Sequence, residues 1–215
     1  MKTDANIICL VMITVAFPAV AEQICGNVPA GWNPEAYAKS GSMCADVLLK
    51  SDEDGIRKLR VFESGKLAFE SDDTALCKTC GGVKGDPFQG IEWNDQTLSV
   101  SNWGGSRYTW DETWKIAKKH NQWKIIGWDH GIMDGLTLST WTESVNTLTR
   151  KAIATYQPGD TADCEEVADK AKDCINGKLK AKTLKCNIKL DSTMSEISQI
   201  SKLREQPFAC GLKMP

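Results

Sequence analysis

The chain has 215 residues, with 26 Lys and Arg against 28 Asp and Glu and a formal net charge of −2. That length supports one domain, or one with a small appendage, and a real apolar core. The near balance of charge excludes the basic footprint of a nucleic-acid binder. Two departures from ordinary composition stand out: nine cysteines, and eight tryptophans against three tyrosines.

At the N-terminus an apolar run, Ile7 to Val20, follows Lys2 and ends at Ala19-Val20-Ala21. This pattern predicts a signal peptide over residues 1–21 and a mature chain in the periplasm or secreted. The run is short for a membrane span, and no later stretch reaches ~18 apolar residues, so no span is expected in the mature chain. Cys9 leaves with the signal. Cys25, Cys44, Cys77, Cys80, Cys164, Cys174, Cys186 and Cys210 remain, an even set that reads as disulfides in an exported protein. Their pairing stays open, and pairing within each segment would narrow it.

Residues 22–159 read as an antiparallel β domain. Asp46 to Lys50, Lys58 to Phe62 and Lys66 to Glu70 are strands separated by Asp52–Gly55 and Ser64-Gly65. Cys77-Lys78-Thr79-Cys80-Gly81-Gly82 opens a glycine-rich loop to Pro87. Ile91 and Trp93 face Leu98 and Val100 across a bend at Asn94-Asp95. Arg107 to Ile116 alternates, with Tyr108, Trp110, Trp114 and Ile116 on one face and Glu112 as its only polar break. Trp123 to Trp128 returns the chain, and Leu136 to Glu143 and Lys151 to Tyr156 add strands. Sequential hairpins of this kind build a meander or sandwich.

Composition shifts at Gln157-Pro158-Gly159-Asp160. Residues 160–215 read as a small helix-strand-helix segment stapled by its own cysteines. Val167, Ala171, Cys174 and Ile175 have helical spacing, Thr183 to Leu190 alternates, and Thr193 with Glu196 forms a capping-box pattern before a second helix. The fold class is therefore α+β, an antiparallel meander or sandwich-like domain with a small disulfide-stapled α/β C-terminal segment.

Several constellations invite a chemical reading. Cys77 and Cys80 have redox spacing, but the glycines and Pro87 after them do not predict the helix that would lower a thiol pKa, so a structural disulfide is expected. The other cysteine spacings supply no second short pair for zinc. Asp52-Glu53-Asp54-Gly55 resembles half a calcium loop, yet Lys50 stands where an oxygen ligand belongs, and a plain turn is the simpler reading. No metal or cofactor is expected. His120 and His130 are the only histidines, and no Gly-x-Ser-x-Gly elbow accompanies them. Asp111, Glu112 and Asp129 lie in adjacent strands and are the carboxylates a glycosidase-type hydrolase would use. Most tryptophans fit a core. Trp103 beside Gly104-Gly105 and Trp128 beside Asp129 are the ones expected near turns, where aromatics anchor partners. The lysines at 178, 180, 182, 185 and 189 have no acid between them.

Three motifs taken together resemble a group of uncharacterised exported bacterial proteins. They are Cys77-Lys-Thr-Cys-Gly-Gly-Val-Lys-Gly-Asp-Pro-Phe88, Trp103-Gly104-Gly105-Ser106-Arg107 with Trp110, and Trp123-Lys-Ile-Ile-Gly-Trp-Asp129. The resemblance covers about a quarter of the chain and implies an envelope protein with a β-rich domain, without catalytic residues to carry over. Asp52 to Gly55 is faintly similar to the turns of FG-GAP propeller repeats, with departures at Lys50, Arg57 and Lys58.

Export, stapling and the lack of a catalytic constellation lead to a non-enzymatic expectation. The chain reads as a periplasmic protein that binds a protein, such as an inhibitor or immunity protein against an envelope-attacking toxin or hydrolase. Trp103, Arg107, Trp128 and Asp129 are its expected contacts. The alternatives are an envelope hydrolase using paired carboxylates, or a thiol–disulfide protein using Cys77 and Cys80.

Overall fold

The computed structural model describes residues 24–52, 54–159, 174–175, 178–189 and 195–213. The first four strands, β1 (Trp32–Ser40), β2 (Met43–Lys50), β3 (Arg57–Glu63) and β4 (Lys66–Ser71), form one antiparallel meander. Six more follow: β5 (Phe88–Asn94), β6 (Thr97–Gly105), β7 (Tyr108–Lys119), β8 (Gln122–Asp134), β9 (Thr140–Asn146) and β10 (Lys151–Gln157). A two-residue ladder, β11 (Cys174–Ile175) with β12 (Lys178–Leu179), precedes β13 (Lys182–Asn187). The second sheet runs β13-β10-β9-β8-β7-β6-β5, all antiparallel. The α+β, antiparallel reading of the sequence holds.

The differences have local causes. β1 was not expected, because Trp32 to Ser40 lacks strong alternation. It forms by pairing with β2, with a register shift between Pro34 and Ala36. β8 runs on to Asp134, and residues 135–139 are a loop, so β9 starts later than its apolar residues suggested. The helical spacing ending at Cys174 and Ile175 gives way to a strand pair there; the rest of that stretch lies outside the described residues, as do residues 1–21 and Thr193. The second helix is one 3-10 turn (Ile197–Gln199) leading into α1 (Ile200–Arg204).

The two sheets pack face to face. Ala45, Val47, Leu59 and Val61 of the smaller meet Leu98, Val100 and Ile116 of the larger, all fully buried. The smaller sheet covers only part of that face. The remainder, carrying Trp114, Ile125, Trp128, Trp141, Val145, Ala152 and Ala154, is covered by Ile200, Leu203, Phe208 and Leu212 of the C-terminal segment. Burying each such side chain is worth about 1.5–3 kcal/mol, which explains how so short a helix persists. The C-terminal segment therefore contributes both an edge strand and a cover.

Among the described residues, the disulfides Cys25–Cys44, Cys77–Cys80 and Cys186–Cys210 staple this arrangement, each joining two cysteines of one segment. They fit folding in an oxidising compartment. Among the described residues no helix is long and apolar enough to cross a membrane.

Two arginines of β3 are buried and paired. Arg60 grips Asp46 through two hydrogen bonds of 2.8 and 2.7 Å and donates to the Asn27 carbonyl. Arg57 donates to both oxygens of Glu35, to Asp86 and to the Leu76 carbonyl, all within 2.7 Å. Burial works against the Arg57 charge, and the hydrogen bonds to Glu35 and Asp86 outweigh it, leaving its pKa raised. By this means β3 holds the ends of the loop between β4 and β5 in place.

Candidate functional site

The sandwich has two unlike ends. At one, strands are joined by tight reversals: Gly41-Ser42, Ser64-Gly65, Asp95-Gln96 and His120-Asn121. At the other, longer connections meet: the loop from 72 to 87, the β6–β7 turn and the β8–β9 loop.

The loop end is built on a fixed backbone. Gly105 N–H donates to the Gly81 carbonyl at 2.9 Å and Trp103 N–H to the Pro87 carbonyl at 2.7 Å, seating the glycine-rich loop on β6. Gly104 is required there, since a Cβ would come within 2.6 Å of the Trp110 indole and 2.9 Å of the Gly81 carbonyl. Gly135 N–H donates to the Arg107 carbonyl at 2.8 Å. Buried Asp134 organises the β8–β9 loop. It accepts two hydrogen bonds of 3.0 Å from Arg107, one from the Leu136 amide at 3.0 Å and one from the Thr137 hydroxyl at 3.3 Å. The Arg107 guanidinium and the Leu136 amide hold its carboxyl well below the usual range, at about 2.

Large apolar side chains stand in solvent on this frame. Val83 is 85% exposed, Leu136 66% and Leu138 54%; Tyr108, Met133 and Trp103 (36%) are also open. Cations border them: Arg107 lies over the Tyr108 ring at 5.2 Å, and the Lys84 ammonium over Trp103 at 5.6 Å. Exposed apolar residues gathered on tethered loops are the usual anatomy of a contact surface.

Of the four expected contact residues, Trp103 and Arg107 come to this end. Asp129 lies mid-strand on the outer face of the larger sheet, 2.5 Å from Lys115. Trp128 is a correction. It is 8% exposed, sits on the inner face and donates its indole N–H to Glu143 at 2.8 Å, with its ring beside Trp114. β8 does not turn at Asp129 as expected, so Trp128 is a mid-strand core residue. Tyr108 departs the other way, shared by alternation with the buried face but exposed at the strand's start.

The carboxylates separate by strand parity. Asp111 and Asp129 face outward, and Glu112 inward. Cross-strand partners Asn102, Glu112, His130 and Glu143 make one polar row across the inner face. The C-terminal segment closes over it. Arg204 donates to both Glu112 oxygens at 2.8 and 2.6 Å, joined by the Asn102 amide. Glu143 takes the Ala209 N–H at 2.6 Å, and Phe208 stacks on His130 at 5.1 Å. Both carboxylates of this row are engaged in holding the cover. His120 is in the tight turn at the opposite end, with φ +48°.

The remaining motifs act structurally. Cys77 and Cys80 are bonded to each other in a turn, followed only by a three-residue 3-10 segment, Gly82–Lys84. Asp52 takes the Gly55 N–H on one oxygen at 3.0 Å and the Lys50 ammonium on the other at 2.7 Å; the Lys50 hydrogen bond lowers its pKa.

Val83, Leu136 and Leu138 were missed by sequence reasoning. Their signal was present: large aliphatics among Gly, Asp, Thr and Ser, where a loop has no core to offer them. No protein-family model matches the chain, and neither a curated protein nor a solved structure matches it.

Proposed function

We propose that this is an exported, non-enzymatic protein that binds another protein through the loop end, as an inhibitor or immunity protein against an envelope-attacking hydrolase or toxin. The observation that carries the reading is the gathering of Val83, Tyr108, Leu136 and Leu138 in solvent on loops whose backbones are fixed by Asp134, Gly81 and Arg57. A rigid apolar surface loses little entropy on docking, and Arg107 and Tyr108 are residue types that dominate interface energetics. The disulfides Cys25–Cys44, Cys77–Cys80 and Cys186–Cys210 support folding in an oxidising compartment, where such a target would be met.

The test is inhibition of a panel of purified peptidoglycan hydrolases by the processed protein and by its Leu136→Asp/Leu138→Asp variant. Inhibition of one of them, lost in the variant while its thermal unfolding is unchanged, supports the reading. Equal inhibition by both proteins, or none across the panel, contradicts it.

A further inference from the structure

We propose that the outer face of the larger sheet carries a second binding site, for a neutral saccharide, centred on Trp103 and Asp111. It shares Trp103 with the margin of the loop end but does not depend on the protein-binding reading. The site is an open depression of about 450 Å³ whose lining includes Gln89, Ser101, Trp103, Asp111 and Thr113, together with Asn102 and Glu112 of the row already described.

Four features make it a site. Trp103 and Asp111 are direct cross-strand partners on β6 and β7, so an exposed indole and an exposed carboxylate stand side by side. The Asp111 carboxylate has no hydrogen bond or ion pair among the described residues. It lies over Gly131 of β8, in the space any larger residue would fill. Gln89 is the extra residue of a bulge between Phe88 and Gly90, and bulges commonly re-aim a side chain. Its amide N–H donates to the Pro87 carbonyl at 3.3 Å, which leaves the amide oxygen free to accept. The Ser101 and Thr113 hydroxyls meet at 3.0 Å between the strands and add donors and acceptors to the floor.

The ligand class follows from shape and charge. A shallow floor does not enclose a ligand, so recognition must act on one flat face. On the side away from the Lys84 ammonium, the indole offers an apolar plane to the C–H face of a sugar ring. Two acidic residues, Asp111 and Glu112, line the depression, but both Glu112 oxygens are taken by Arg204, which leaves Asp111 as the anion open to a ligand; the Lys84 ammonium stands at its margin, over the Trp103 ring at 5.6 Å. A cationic ligand would meet Lys84 and an anionic one Asp111. The hydroxyls of a neutral sugar both donate and accept, and so satisfy the carboxylate, the ammonium and the amide oxygen together.

The test is titration of the processed, isotope-labelled protein with three neutral oligosaccharides, a tetramer of N-acetylglucosamine, cellotetraose and maltotetraose, followed by NMR. The expected result is a saturable shift of the Trp103 indole N–H with at least one of them. Affinity read in every variant from the side-chain amide of Gln89, which lines the same depression, should weaken about tenfold or more in Trp103→Ala and in Asp111→Ala, equivalent to ~1.4 kcal/mol, and persist in Leu136→Asp/Leu138→Asp. That last variant separates this site from the protein-binding surface. No shift at ~10 mM of any of the three, a concentration well above a ~1 mM Kd, would overturn the proposal. So would shifts that survive both site variants, or a response only to a cation such as tetramethylammonium.

Discussion

The two ends of the sandwich solve the same problem, reversing strand direction, with opposite expenditure of chain. The turn end uses two residues where it can and places them in the left-handed region: Ser64 and Gly65 at φ +51° and +78°, His120 and Asn121 at +48° and +66°. Such turns match the twist of the strands and fix register. The loop end uses far more chain, anchors it through Arg57, Asp134 and the Gly81–Gly105 contact, and then leaves its large apolar side chains in water. Connection is therefore sufficient to explain the first end and insufficient for the second. Residues beyond those needed to join strands, held rigid and apolar, are what a binding function requires.

The largest effect should come from removing the anchor of the long loop. Arg57→Met leaves Glu35 and Asp86 without their guanidinium. Breaking a buried pair typically costs about 3–5 kcal/mol, and the partial exposure of both carboxylates places the expectation at the low end. Urea unfolding measures it; a loss under 1 kcal/mol would show that the loop is held by other means.

Next in size is the Asp134 anchor. Its carboxyl titrates at about 2 in the fold, against an ordinary value of 3.8. A lowered carboxyl contributes stability that is complete only above pH ~5 and is lost as pH falls through 3.8 toward 2. Arg107→Ala should move the Asp134 titration upward and flatten that acid limb. NMR titration of the carboxyl carbon reads the first effect, acid unfolding the second. An unmoved titration would assign the low value to the Leu136 amide and the Thr137 hydroxyl.

A smaller effect is expected at the turn end. His120→Gly relieves a left-handed residue, and the gain, net of the extra freedom of glycine in the unfolded chain, is about 0.5–1 kcal/mol. A destabilised variant would mean that His120 makes contacts that outweigh its backbone cost. Smallest of all should be the stability change in Leu136→Asp, within ~0.5 kcal/mol, since an exposed side chain contributes little to folding. A loss above 1 kcal/mol would make Leu136 a structural residue and weaken its assignment to a binding surface.

What the sequence made legible follows periodicity. Alternation placed Trp114 and Ile116 in β7, and Leu184 and Cys186 in β13, because one face of each strand is buried and the other wet. Glu112, the break in that alternation, was visible as an anomaly. Its explanation was not, since Arg204 lies 92 positions away and only the closed fold brings it there. Trp128 misled because its place beside Asp129 suggested a turn where β8 continues. The site was half legible: Trp103 and Arg107 lie beside visible glycine turns. Val83, Leu136 and Leu138 carry no pattern except that of being apolar in a polar loop. Gly90 was the one local sign of the bulge that exposes Gln89.

The most direct measurement of the central claim is site-specific photocrosslinking against envelope extract, with a benzophenone side chain placed at Leu136, at Leu138, or at Leu148 beside the turn end. Leu148 is also more than half exposed and serves as the matched control. The account predicts the same crosslinked protein from positions 136 and 138 and none from 148. Equal yields from all three positions, or a product from 148 alone, would contradict it.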